Sequence, residues 1–116
     1  MEVWECMPRF GGWYFISNLG RVKSIASGKP KILAPVSNGS GYYQVKLITD
    51  GVRKSFYIHR LVAEHFVSGY IDGLEVDHLD NNKSNNRWDN LRWVSRRENM
   101  RKCHADNPHI MDNLAR

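Results

Sequence analysis

The sequence predicts an α+β protein in which an antiparallel, β-rich first half is followed by a strand, a long loop, a second strand and a helix. Three observations carry this. Two β-prone runs, Tyr43 to Ile48 and Val52 to Ile58, flank Asp50-Gly51, a dipeptide that favours a type I′ hairpin because Gly tolerates positive φ. The period then changes, since Ile58, Leu61, Val62 and Phe66 fall at i, i+3, i+4 and i+8 and stripe one face of a helix. Further on, Val76-Asp77-His78 opens an Asn-rich stretch, and Asn99 follows Asp77 by 22 residues. That spacing suits a hairpin folding back onto the first turn of a helix.

Before the Asp50-Gly51 hairpin, Trp13 to Ser17 is β-prone, Asn18-Leu19-Gly20 offers a turn, and Arg21 to Ile25 alternates basic with small or apolar residues. Trp13 and Tyr14 read as core aromatics. Ser27-Gly28-Lys29-Pro30 and Ser37-Asn38-Gly39-Ser40-Gly41 read as loops. The second hairpin strand carries Phe56 and Ile58 on one face and Arg53, Ser55 and Tyr57 on the other. The helix from His59 should end before Ser68-Gly69 and pack beneath the later unit, with His59 and His65 as hydrogen-bonded framework residues. Ser95-x-x-Glu98 has capping-box spacing, so a second helix starts there. The tail from Cys103 is less regular, although Asn107-Pro108 could open one more short helix.

At 116 residues the chain is sized for one domain, or for two very small modules sharing a core. Cys6 and Cys103 lie far apart and make no C-x-x-C pair, which argues against a zinc ribbon or a disulfide framework and for a reduced, intracellular setting. No apolar stretch approaches a membrane span or signal-peptide core, so a soluble cytoplasmic protein with no membrane partner is expected. The net charge of +5 is unevenly spread. Residues 1–60 hold nine Lys/Arg against three Asp/Glu, residues 61–86 one against five, and residues 87–116 seven against four. An acidic island between basic flanks suits a polyanion-binding surface that also holds a cation in its middle.

The run Val76-Asp77-His78-Leu79-Asp80-Asn81-Asn82-Lys83-Ser84-Asn85 places a carboxylate and an imidazole side by side before a polar loop, a place to hold a metal ion. With Asn90-Leu91-Arg92-Trp93-Val94-Ser95 and Asn99 it resembles the HNH homing-type endonucleases of phages and their introns, with Glu75 to Met100 similar to that family's core. Upstream, Gly12 to Ile25, above all Ile16-Ser17-Asn18-Leu19-Gly20-Arg21-Val22-Lys23-Ser24, resembles the DNA-binding module that often precedes it. His59-Arg60-Leu61-Val62-Ala63 is similar to its linking helix. The resemblance covers roughly residues 3 to 102. It implies an N-terminal β-rich antiparallel DNA-binding portion, residues 1–55, followed by a ββα-metal (His-Me finger) HNH nuclease core, residues 56–102, and a tail, residues 103–116. It further implies a phage-encoded protein acting in a bacterial host, products ending in 5′-phosphate and 3′-hydroxyl, and a role for Asn90 in pinning the long loop and orienting His78.

Phosphodiester hydrolysis needs a nucleophilic water, neutralised phosphoryl oxygens and a stabilised leaving oxygen. Asp77 supplies an anionic oxygen and Asn99 a neutral carbonyl oxygen, a hard set that suits Mg²⁺ or Mn²⁺. His78 is the candidate general base, because imidazole titrates near neutrality. One difficulty is geometric: neighbours on a regular strand point to opposite faces, so the strand must twist or end at Asp77-His78. Arg96 and Arg97 in a helix's first turn oppose the macrodipole unless an anion such as a phosphate lies there. Arg92, Arg101 and Lys102 extend that surface, while Arg21, Lys23, Lys29, Lys31, Lys46, Arg53 and Lys54 are the expected backbone contacts of the first half. A single active site cuts one strand per engagement, so double-strand cleavage would require a homodimer or sequential nicks by a monomer. Two other readings stand beside the endonuclease: a catalytically inactive DNA-binding module of the same family, and a nuclease directed at RNA.

Overall fold

The computed structural model describes residues 1–100, so Arg101, Lys102 and the tail with Asn107-Pro108 lie outside the described residues. Four strands, β1 (Trp4–Cys6), β2 (Tyr14–Ser17), β3 (Val22–Ser24) and β4 (Lys31–Ile32), form an antiparallel sheet in chain order. β1 and the 3-10 turn Pro8–Phe10 were not legible beforehand. A three-residue strand carries too little alternation to register. Its register fixes two faces: Ile16 and Val22 turn inward and are buried, whereas Cys6, Phe15, Lys23 and Ile32 share the other face.

A second antiparallel sheet comprises β5 (Val36–Ser37), β6 (Tyr43–Thr49) and β7 (Val52–Tyr57). Asp50 and Gly51 both have positive φ, 51° and 76°, as a type I′ turn requires. Ser37 belongs to β5, which narrows the expected loop; Asn38 Oδ1 stabilises that loop by accepting from the Ser40 and Tyr42 amides at 2.8 and 3.3 Å. Val45 and Leu47 face the core, and Lys46, Ile48, Arg53 and Ser55 face out.

Helix α1 (Ile58–Phe66) begins one residue earlier than expected and buries Ile58, Leu61, Val62 and Ala63. It packs against β2, β6 and β7 on one side and against the last hairpin, β8 (Glu75–His78) with β9 (Leu91–Val94), on the other. One core therefore runs through both halves of the chain, from Met7, Phe10, Tyr14, Ile16 and Val22 through Val45 and Leu47 to α1 and Leu91. Trp93 Nε1 donates to the Val67 carbonyl at 3.1 Å and ties the segment after α1 to β9.

Trp13 is a correction. It is 54% exposed, because it precedes β2, which starts at Tyr14 and turns Tyr14 and Ile16 into the core that Met7 and Phe10 join. Tyr14 is buried as expected, and its hydroxyl accepts from the Ile48 amide at 3.1 Å. Leu61→Ala, at the centre of the shared core, should cost about 2–5 kcal/mol in urea unfolding. Trp13→Ala should cost clearly less; equal costs would contradict this packing.

Candidate active site

β8 ends at His78, and the chain turns at once: the Asn81 amide donates to the His78 carbonyl at 3.0 Å, and Asn81 takes a left-handed φ of 61°. The strand does end at this pair, as expected. Asp77 and His78 are both buried, yet they meet different partners. Across the hairpin Asp77 lies opposite Arg92, whose Nε donates to Asp77 Oδ2 at 3.0 Å. His78 instead places Nε2 2.8 Å from Asn86 Oδ1. An amide oxygen only accepts, so this contact selects the tautomer that carries the ring proton on Nε2.

Asn90 closes the loop between the two strands. Its Oδ1 accepts from the Asp80 amide at 3.1 Å, its Nδ2 donates to Asp80 Oδ1 at 2.9 Å and to the Asn85 carbonyl at 2.8 Å, and its carbonyl accepts from the Leu79 amide at 2.8 Å. Asp80 is held in turn by the Asn85 side chain, the Asn82 amide and Asn90, and these donors hold its carboxyl down at about 2. Asn86 follows directly on the pinned Asn85 and so reaches His78. Its importance was invisible beforehand, because Asn82, Asn85 and Asn86 look alike in sequence.

The N-terminal half braces this loop. The Trp88 amide donates to the Asn18 carbonyl at 2.8 Å, and Gly20 lies so close that a Cβ there would sit 3.0 Å from Asn86 Cβ. With a φ of 92°, Gly20 is doubly required. On the other side His78 packs among rings: its centroid is 5.1 Å from His59 and 6.1 Å from Tyr42, and Tyr57 lies 5.3 Å from His59. His59 Nδ1 is buried without a hydrogen-bond partner among the described residues. Burial first, then the neighbouring His78 and Arg60, push its pKa down to about 4, so at neutral pH it is an uncharged framework ring, packed among aromatic neighbours and lacking the hydrogen bond expected at Nδ1.

Residues 96–100 are helical, and the capping box is present: the Glu98 amide donates to Ser95 Oγ at 3.1 Å and the Ser95 amide to Glu98 Oε1 at 3.3 Å. Asn99 Nδ2 donates to Glu75 Oε2 at 3.4 Å. Glu75 and Asp77, two apart on β8, share a face, so Asn99 stands on the Asp77 side of the hairpin. A carboxylate selects the NH₂ of the amide and leaves the Asn99 carbonyl oxygen as the donor for an ion. Among the described residues no three His, Cys, Asp or Glu converge into a metal cage. One carboxylate and one amide oxygen fit a hard dication that keeps most of its positions for water and phosphate.

The basic residues are dispersed. Arg96 and Arg97 are exposed at the helix start, whereas Arg92 is turned to Asp77. Arg21 is paired with Glu2, and Lys23 Nζ lies 4.2 Å from the Trp4 ring centre. Lys46 and Arg53 share the outer face of the second sheet, and Lys54 is on the opposite one, opposite Leu47. Lys29 and Lys31 are exposed, Lys31 on the face of Ser24 and Tyr14. No helix among the described residues is long and apolar enough to cross a membrane.

A two-stranded hairpin ending its first strand in Asp-His, closed by an Asn-pinned loop and followed by a capped helix, defines a chain of the ββα nuclease class. Comparison with known families agrees. Residues 56–101 match the family model described as HNH endonuclease and residues 2–48 the NUMOD4 motif; the chain belongs to the HNH endonuclease family. It is 45% identical over 97 residues to the DNA endonuclease I-HmuI of Bacillus phage SP01, covering 84% of this chain and 55% of that protein. It is 34% identical over 113 residues to the H-N-H endonuclease F-TflII of Escherichia phage T5, covering 96% and 57%. A solved structure described as DNA binding and cleavage by the HNH homing endonuclease I-HmuI superposes with a TM-score of 0.83 at 42% identity, covering 90% of this chain and 59% of that one. The chain thus spans little more than half the length of these relatives.

The buried His59 sets a pH dependence. Its folded pKa near 4 lies below the ordinary 6.5, so between those values the unfolded chain binds a proton that the folded chain refuses. The His59 contribution should therefore be lost on acidification from pH 6.5 to about 4 and be constant below, where Glu2 and Asp80 add their own losses from 4.5 and 3.8 down to about 2. In thermal melts His59→Phe should lose less Tm than the parent across the upper window, by about a few degrees. Equal pH slopes would contradict the assignment.

Proposed function

We propose that this chain is a metal-dependent DNA endonuclease that hydrolyses phosphodiester bonds, with Asp77 and Asn99 holding one Mg²⁺ or Mn²⁺ and His78 as general base. The single observation that carries this reading is the 2.8 Å contact of His78 Nε2 with Asn86 Oδ1, which orients a ring that directly follows a buried carboxylate on β8. His78 Nδ1 takes the proton from an attacking water, the water oxygen bonds to phosphorus, and the bond from phosphorus to the 3′ oxygen breaks. The phosphate stays on the 5′ end and the 3′ oxygen takes a proton from solvent. A bound dication would neutralise the phosphoryl oxygens and the leaving oxygen.

Asn90 supports this chemistry by closing the loop that carries Asn86. The division into a DNA-binding segment, residues 1–55, and a nuclease core, residues 56–102, is organisational, since the two share a core. DNA would run past Arg96 and Arg97 and along the outer face bearing Lys46 and Arg53. Lys23 and Arg21 would add contacts at the rim of the first sheet. The phage origin of the relatives supports action in the cytoplasm of a bacterial host. A chain with one such site would nick as a monomer and would cut both strands as a homodimer or by sequential nicks.

Supercoiled plasmid incubated with Mg²⁺ should be nicked or linearised and should be untouched with EDTA. His78→Ala should keep DNA binding and lower cleavage by on the order of 10²- to 10⁴-fold. Binding without cleavage in the parent chain would favour the inactive DNA-binding module, and full activity in His78→Ala would remove the base.

A further inference from the structure

We propose that Arg92 is the resident counter-cation of Asp77, which a divalent ion must displace and which a phosphate of bound DNA draws away, so that ion uptake is coupled to DNA binding. This rests on the reading of Asp77 as the ion's carboxylate. The strand register places the two residues directly opposite each other, and Arg92 Nε reaches Asp77 Oδ2 at 3.0 Å. The partners are unequal: the Asp77 side chain is 8% exposed and the Arg92 side chain 45%. The carboxylate is therefore fixed, whereas the guanidinium reaches solvent and can move.

A dication approaching Asp77 meets two obstacles. One carboxylate oxygen already accepts a hydrogen bond, and a unit positive charge a few ångströms away repels the ion in a partly desolvated setting, where screening is weak. Arginine's planar fork presents five N–H donors, and the contact with Asp77 uses one of them. A phosphate brought to the hairpin offers that fork a bidentate partner, draws Arg92 off Asp77 and supplies the ion with a further oxygen ligand. Arg92 is thus a residue that holds the site closed in the free protein and contacts phosphate in the complex, whereas an arginine that only positions Asp77 would favour ion binding throughout. The two roles predict opposite signs.

Mn²⁺ is titrated by calorimetry into the full chain, stripped with EDTA and free of DNA. Arg92→Gln, and Arg92→Met, which keeps the apolar stem, should each bind Mn²⁺ more tightly than the parent, by on the order of tenfold. Both should also make the slope of log K for DNA against log salt shallower by up to about 0.9. Unchanged or weaker Mn²⁺ binding in variants that melt at the parent's temperature overturns the proposal. Asp77→Asn separates the two levels. If it abolishes Mn²⁺ binding while the Arg92 variants gain nothing, the counter-cation role alone fails; if it leaves Mn²⁺ binding unchanged, the reading of Asp77 fails and takes the proposal with it.

Discussion

The side-chain amide of Asn90 is the constraint on which the rest of the site depends. Three hydrogen bonds, to the Asp80 amide, the Asp80 carboxylate and the Asn85 carbonyl, convert a largely polar stretch, whose Leu79 and Trp88 stay exposed, into a fixed loop. Such a segment cannot hold itself by burial, so its order must come from satisfied polar groups, at roughly 0.5–1.5 kcal/mol net for each neutral bond and more where a carboxylate takes part. Once Asn85 is fixed, Asn86 is fixed, and with it the proton on His78 Nε2. The site is thus held from the loop inward.

The N-terminal half enters the same chain of support. Its turn at Asn18-Leu19-Gly20 presses on Asn86 and accepts the Trp88 amide, while its strands share the core with α1. This explains why a chain of 116 residues can afford so polar a centre. The acidic island holds Asp77 and Asp80 in place with donors rather than solvent, and the basic flanks of the sequence become separate surfaces. Arg96 and Arg97 crown a helix start, Lys46 and Arg53 share one sheet face, and Arg92 answers Asp77.

Features governed by local rules were legible in the sequence. Asp50-Gly51 dictates its turn through φ alone, the stripe through Ile58, Leu61 and Val62 gives α1, and Ser95 with Glu98 caps the last helix by spacing. The resemblance of Glu75 to Met100 to HNH endonucleases gave the class, which the family models bear out. What remained hidden depends on contacts distant in sequence. Asn86 could not be told from its neighbours, Trp13 could not be told from a core residue without the start of β2 at Tyr14, and the pairing of Arg92 with Asp77 follows from a strand register that periodicity leaves open. Glu75 likewise gained meaning only when Asn99 was found against it.

The central claim is that loop closure by Asn90 fixes the protonated nitrogen of His78. Nitrogen-15 NMR of the histidine rings reads this directly. The account predicts that the His78 ring of the parent chain at neutral pH carries its proton on Nε2, and that in Asn90→Ala, which touches neither the ring nor Asn86, the signal moves toward a mixture of tautomers. A His78 ring protonated on Nδ1 in the parent, or one unchanged by Asn90→Ala, would contradict it.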